Sequence, residues 1–366
     1  RHSQPQIHNL ILTYKEYFPY ICKSATLRQM IIAHFEIRDS EKKSLQEKLP
    51  DHLQHFFEHE ISPEVMDQIK DVEIITSHTG SQISRQVIEQ LPNLRLIATR
   101  TTGFDHIDLQ AAKERNIKVC NVPSYGENTV AEYAFALLLT LARKIDTAIE
   151  RVRVSGSFET EGLQGIDMMG KTIGVIGTGH IGQRAISIAN GFGMNVLAFD
   201  AFPRNELQDS HHFRYVSLEE LLQQSDIITL HVPYIPETHH LIGNHNIQHI
   251  KHGALLINTA RGAVVETAAV VEALKNKHLA GAALDVLEEE GHLKDSSTYC
   301  LEDRCDINTL KTVLQNHVLM DMPNVLITPH NAFNTIEAEQ RIIQTTVDNL
   351  YRFMENNPQN LVKLPD

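Results

Sequence analysis

The stretch TIGVIGTGHIG, residues 172–182, constrains this chain more than any other. An apolar, strand-like run leads into Gly177-x-Gly179-x-x-Gly182, and HIGQRAISIANGFG follows with Ile181, Ala185 and Ile188 at helical spacing. The strand–turn–helix context gives the three glycines their meaning. Gly177 permits a tight turn, Gly179 lets backbone approach a pyrophosphate, and Gly182 lets the helix pack close to the strand. The open N–H groups of the helix then meet the phosphate charge. Gly182 plus 18 is Asp200, at the end of the next strand-like run, NVLAFD. A carboxylate there accepts hydrogen bonds from both ribose hydroxyls and repels a 2′-phosphate. The expected cofactor is therefore NAD rather than NADP, although nearby Arg204 softens the exclusion.

Strand-like runs alternate with helical patterns along most of the chain, the signature of α/β layers with parallel sheets. One group comprises 30–37, 72–76, 94–99 and 117–121; a second comprises 172–177, 195–200, 226–232, 254–260, 280–286 and 324–329. Six strands with helical crossovers suffice for one dinucleotide-binding domain. Between the groups, ENTVAEYAFALLLTLARKIDTAIERVRVSG reads as one long helix, with Asn128 as N-cap and Gly156 beyond its end. Its centre is apolar around most of its circumference and calls for burial between domains or subunits. The amphipathic segment TIEAEQRIIQTTVDNLYRFMENN is expected to return and cover the first domain, making that domain discontinuous.

The 366 residues allow two domains. A formal net charge of −13 argues against general affinity for nucleic acid or anionic membrane. The longest apolar run, YAFALLLTLA, is about half the roughly 20 residues needed to span a bilayer. Four scattered cysteines, Cys22, Cys120, Cys300 and Cys305, make neither a disulfide framework nor a zinc knuckle; the expectation is reduced thiols in a cytoplasmic protein with no metal. Residues 1–29 read as a disordered extension and 291–322 as a surface excursion.

Hydride transfer to a carbonyl needs a proton donor for the oxygen, an electrophile beside it and something to fix the substrate. Open α/β sheets place such groups beyond the C-terminal ends of their strands. Arg261 follows LLINTA, Glu290 follows AALDV, and His330 follows VLITP. An imidazole suits acid–base work near neutrality, a carboxylate can hold it, and a guanidinium offers a planar fork to a carboxylate. Glu290 is the last of three consecutive glutamates, 288–290, so position alone does not single it out.

The motifs TTGFDHID (101–108), NVPSYGENTVAE (121–132), GVIGTGHIGQ (174–183), LHVP (230–233), INTARGAVVET (257–267), GAALDVLEEE (281–290) and LITPH (326–330) together resemble the D-isomer-specific 2-hydroxyacid dehydrogenase family. The resemblance runs from Met30 onward and is strongest to the D-lactate dehydrogenase branch. It implies an α/β architecture: a Rossmann-type doubly wound NAD-binding domain plus a smaller, discontinuous, flavodoxin-like substrate domain. The implied division is 1–29 extension, 30–126 substrate domain, 127–329 NAD-binding domain and 330–366 the substrate domain's C-terminal part. It further implies that Arg261 binds and polarises the substrate, that His330 is the acid–base group, and that Glu290 is its partner. The 29-residue step from Arg261 selects Glu290 over its neighbours. By the same resemblance, His180 and Ile181 meet the pyrophosphate, Asp200 the ribose, and Val232 and Pro233 the adenine side. Thr259 and Ala260 line the nicotinamide side, Asp285 takes the carboxamide, and Tyr125 stands near substrate and cofactor. A homodimer is also implied.

Two departures fall where the substrate side chain belongs. Ser77-His78-Thr79-Gly80 carries a serine where D-lactate enzymes of this type have tyrosine, and Asn334 replaces an aromatic beside Phe333. The expected activity is interconversion of a D-2-hydroxy acid and its 2-oxo acid, D-lactate and pyruvate or a close analogue. The alternatives are a 3-phosphoglycerate or broad-specificity 2-oxo acid reductase and, in another class, an NAD-sensing corepressor-like binding protein.

Overall fold

Runs such as IITL and ALLIN have no polar alternation, so as strands they bury both faces and need cover on each. In the computed structural model, which describes residues 28–293 and 306–365, such runs become the inner strands of two parallel sheets. The chain divides into two units, one of residues 1–123 and 342–366, the other Ser124–Arg341.

The first unit holds β1 (Ile31–His34), β2 (Leu53–Phe56), β3 (Ile74–Ser77), β4 (Leu96–Thr99) and β5 (Lys118–Cys120), in the order β2-β1-β3-β4-β5. Alternation along the strands feeds two cores. Ile75, Ile97 and Val119 face one, whereas Ile32, Ile74, Leu96 and Cys120 face the other. Ile343, Val347 and Leu350 of the helix Ile336–Met354 complete the second core, so the amphipathic segment does return to this domain.

The second unit holds β6 (Thr172–Ile176), β7 (Asn195–Phe199), β8 (Arg214–Tyr215), β9 (Ile227–Leu230), β10 (Ala254–Asn258), β11 (Leu279–Leu284) and β12 (Val325–Ile327). Their order is β12-β11-β10-β9-β6-β7-β8, all parallel, so that every C-terminal strand end lies along one edge. The period of two is visible within β10: Ala254 and Leu256 enter one core, Leu255 and Ile257 the other. The chain reverses direction about β6 and β9, giving the switch point at which such sheets bind ligands.

Four expectations are corrected. The long helix is two, Glu127–Arg143 and Ile145–Ser155, because Lys144 adopts a left-handed conformation (φ 52°) between them. Gly126 stands at the N-cap, and Asn128 instead donates to the Glu132 carboxylate within the first turns. Strands β2 and β8 escaped the sequence reading because both are edge strands, partly exposed and without an apolar run. In the 291–322 segment, the helix Ile307–Met320 buries Val313, Asn316 and Leu319 rather than riding on the surface.

The chain crosses between units after Pro123 and again after Arg341. The second crossing lies later than 329/330 because residues 330–332 are hydrogen-bonded to Asp285, and Arg341 to Tyr125 O and Thr129 Oγ1. Among the cysteines, Cys120 is buried with a free thiol that burial pushes up to about 12. Cys22, Cys300 and Cys305, and nearly all of the expected extension 1–29, lie outside the described residues. Among the described residues no helix is long and apolar enough to cross a membrane.

Candidate active site

The glycine turn after β6 behaves as its spacing requires. Gly177 has φ 95°, and a Cβ on it would fall 2.6 Å from His231 O. A Cβ on Gly182 would fall 1.9 Å from Gly177 O, so only glycine lets the helix His180–Gly191 sit this close to the strand. Gly179 N-caps that helix with no side-chain acceptor, and the space around its Cα is open. Ungapped N–H donors beside open space are what a pyrophosphate needs. His180 is exposed at the helix start, whereas Ile181 packs partly against the core.

Asp200 lies at the next strand end, one position beyond β7. It accepts hydrogen bonds from Thr178 N at 2.7 Å, Thr178 Oγ1 at 2.8 Å and Phe202 N at 2.9 Å. Partial burial alone would raise its pKa, but these donors and the Arg204 charge outweigh it and hold the carboxyl below its ordinary value. Arg204 Nη2 meanwhile donates to Thr178 O at 2.9 Å. Val232 and Pro233 follow β9 at the same edge, and Thr259 and Ala260 follow β10. The Thr259 hydroxyl is buried without a hydrogen-bond partner, an unmet polar group just beyond the end of β10. The residues present therefore fit a dinucleotide along the whole edge.

Three neighbouring strands, β10, β11 and β12, supply the chemical groups. His330 Nδ1 lies 2.7 Å from Glu290 Oε1, and Glu290 Oε2 accepts from Leu287 N at 3.1 Å. Burial works to raise the Glu290 pKa; the His330 hydrogen bond and charge, the Leu287 N–H and the Arg261 charge overcome it and lower it. Arg261 stands in the first turn after β10, where Asn258 Nδ2 donates to its carbonyl at 3.0 Å and Asn258 Oδ1 accepts from Ala260 N at 3.0 Å. The asparagine thus closes the turn that presents the guanidinium.

His330 has φ 51°, a left-handed conformation that a side-chain-bearing residue keeps only where its surroundings hold it. Asp285 does the holding. Its backbone carbonyl accepts from His330 N at 2.8 Å, and its carboxylate accepts from Thr328 Oγ1, Asn331 N and Ala332 N. Burial raises the Asp285 pKa despite these donors. Sequence reasoning assigned Asp285 to the cofactor and passed over Thr328 and Asn258. A lone carboxylate inside the apolar run AALDV was the available signal for a buried anchor.

The remaining expected residues are distributed between the units. Tyr125 is the second residue of the second unit, its carbonyl accepting from Arg341 Nε at 2.6 Å, and Phe333 follows the His330 turn. Ser77, His78 and Thr79 belong to the first unit at the end of β3; Ser77 is wholly buried, and the other two are half-buried. The loop 101–104, after adjacent β4, leaves the same sheet edge and is braced by Thr101 Oγ1 donating to Gly103 O at 2.6 Å.

A doubly wound domain that cradles a dinucleotide and presents a carboxylate-held imidazole at the same edge defines a nicotinamide-dependent dehydrogenase. Comparison with known proteins agrees. The family description "D-isomer specific 2-hydroxyacid dehydrogenase, NAD binding domain" matches residues 135–332. The D-lactate dehydrogenase of Escherichia coli K12 is 37% identical over 328 residues, covering 88% of this chain and 96% of that one. An aromatic 2-oxoacid reductase of Clostridium sporogenes is 37% identical over 295 residues, covering 80% and 86% respectively. The crystal structure of D-lactate dehydrogenase from Aquifex aeolicus complexed with NAD and lactic acid matches with a TM-score of 0.81 at 34% identity, covering 92% of this chain and 100% of that one. The chain belongs to the D-isomer-specific 2-hydroxyacid dehydrogenases, and NAD is its cofactor.

Proposed function

We propose that this dehydrogenase interconverts D-lactate and pyruvate or a close 2-oxo acid analogue, with His330 as the acid–base group. The His330–Glu290 contact at 2.7 Å carries the reading. With Nδ1 committed to the carboxylate, Nε2 is left for the substrate oxygen. The reduced cofactor, when bound, supplies the hydride for C2. As C2 receives it, His330 gives its proton to the carbonyl oxygen; in the oxidative direction the same nitrogen takes the proton back. Arg261 binds the substrate carboxylate through its planar fork and draws electron density from the carbonyl. Asp200 holds the adenosine ribose, and Thr259 meets the nicotinamide side.

His78 and Thr79, together with Phe333, are assigned to the substrate side chain, and Tyr125 to the mouth of the site. The small and polar loop 77–80 supports tolerance for side chains larger than methyl, a breadth consistent with both D-lactate dehydrogenases and an aromatic 2-oxoacid reductase among the relatives. A homodimer is proposed through the helix Ile145–Ser155, where Ile145, Ile149 and Val152 form an exposed apolar stripe, 41–44% exposed. A cytoplasmic setting accords with the buried free thiol of Cys120.

The test is turnover by purified protein. NADH oxidation is expected with at least one of pyruvate, hydroxypyruvate, phenylpyruvate and oxaloacetate. Silence with all four overturns the enzyme reading in favour of NAD sensing, and preference for phosphohydroxypyruvate overturns the substrate.

A further inference from the structure

Directly after β1 stands Glu36, which the chemistry above does not use. Its carboxylate reaches across the sheet edge to the loop that follows β3. Oε2 accepts from His78 N at 3.0 Å and from Ser81 N at 3.0 Å, while Oε1 accepts from Gly80 N at 2.9 Å. Three backbone donors of one short loop thus converge on one carboxylate, more than 40 residues away in sequence. Hydrogen bonds to an ionised acceptor are about twice as strong as neutral ones, so the loop path is dictated by this side chain.

Glu36 is itself fixed. Its φ is 53°, left-handed for a residue with a Cβ. The guanidinium of Arg100, wholly buried after β4, clamps that turn: Nη2 donates to Phe35 O at 2.7 Å and to Glu36 O at 2.9 Å. Nη1 donates to Thr76 Oγ1 at 3.0 Å, at the end of β3. Glu36 N donates to His59 O at 3.2 Å. Arg100 therefore ties the ends of β1, β3 and β4 together, and Glu36 projects from that knot into the loop. Gly80 is part of the same fit, since a Cβ on it would come within 2.4 Å of Glu60 Oε1 and 2.6 Å of Glu36 Oε1.

The geometry points to Glu36 as the positioning residue that sets side-chain specificity, by fixing the path of residues 78–81 and so the placement of His78 and Thr79. The inference rests on the reading that His78 and Thr79 meet the substrate side chain. It makes specificity in this chain depend on a carboxylate that never touches the substrate. It also gives the Arg100–Glu36 pair a purpose beyond holding strands together.

The test compares Glu36→Gln with the wild type, using pyruvate and phenylpyruvate as paired substrates. The amide keeps one acceptor and turns a donor toward backbone donors, so the loop loses its anchor while volume is preserved. The expected result is a pyruvate KM raised roughly 10-fold, with the ratio of kcat/KM between the two substrates altered by a similar factor. The NADH dissociation constant, read by fluorescence, stays within about 2-fold. Gly80→Ala, which crowds the same carboxylates from the loop side, is expected to change the ratio too, and covers the case in which the first variant does not fold. Equal losses for both substrates, or an unchanged ratio in either folded variant, overturn the inference while leaving the dehydrogenase reading intact. Failure of the wild type to reduce any 2-oxo acid overturns both.

Discussion

Asp285 and His330 are bound to each other through the chain rather than through their side chains: His330 N–H donates to Asp285 O at 2.8 Å. The Asp285 carboxylate takes the next two backbone N–H groups, at 2.8 Å each. One residue at the end of β11 thereby dictates the left-handed turn on which the imidazole is mounted. Replacing Asp285 with Ala takes the acceptor from Thr328 Oγ1, Asn331 N and Ala332 N and is expected to destabilise the protein by about 2–4 kcal/mol. Turnover falls at least roughly 10-fold, because small displacements of reacting groups are costly. Urea unfolding and steady-state kinetics check both; normal turnover in a destabilised variant would separate the anchor from the chemistry.

Removing the imidazole by His330→Ala is expected to cut turnover by roughly 10²–10⁴-fold. NADH binding, measured by fluorescence quenching, is expected to persist. Near-normal turnover would remove His330 from the acid–base role.

Glu290→Gln tests the partner. The Glu290 carboxyl, its pKa lowered chiefly by His330 against the opposing effect of burial, is anionic throughout the neutral range. A neutral amide weakens the hydrogen bond that orients the ring, so turnover is expected to fall at least roughly 10-fold while the NADH dissociation constant stays unchanged. Turnover equal to that of the wild type would refute the pairing.

Asp200→Ala is expected to erode the preference for NAD over NADP. The Asp200 carboxyl sits below its ordinary pKa and is charged wherever the enzyme works, and Arg204 lies within its field. Measuring kcat/KM with both cofactors decides the matter, and an unchanged ratio sinks the assignment.

His34 predicts how stability depends on pH. Burial foremost, then the Arg100 charge, push its pKa down to about 3, against a raising hydrogen bond from Gln54. Below pH 6.5 the unfolded chain binds a proton that the folded protein refuses until about pH 3, so stability declines as pH falls through that window. The loss attributable to His34 is about 2 kcal/mol at pH 5 relative to pH 8. Chemical unfolding at the two pH values, with His34→Gln as reference, measures it; equal pH dependence in both proteins would contradict the prediction.

Much of this architecture was legible because the residues involved obey short-range rules. The glycine turn at 177–182, the carboxylate at 200 and the three strand-end groups at 261, 290 and 330 all follow from a strand being read correctly. What escaped was governed by contacts distant in sequence or by position in the sheet. Leu53–Phe56 and Arg214–Tyr215 pair at sheet edges, where no continuous apolar run is required. The break at Lys144 has no proline or glycine to announce it; a lysine there takes a left-handed conformation and donates through Nζ to Gly162 O at 2.7 Å. The two carboxylate anchors were the least visible. Glu36 meets its donors across more than 40 positions, and Asp285 across 46 and 47.

Strand β12 touches only β11 and comes last of the seven in chain order. The strands that cradle the dinucleotide, from β6 to β10, all precede it. The strand ends along the cofactor edge are therefore synthesised before the strand end that bears the proposed acid–base histidine, which is added to the sheet from its outer side.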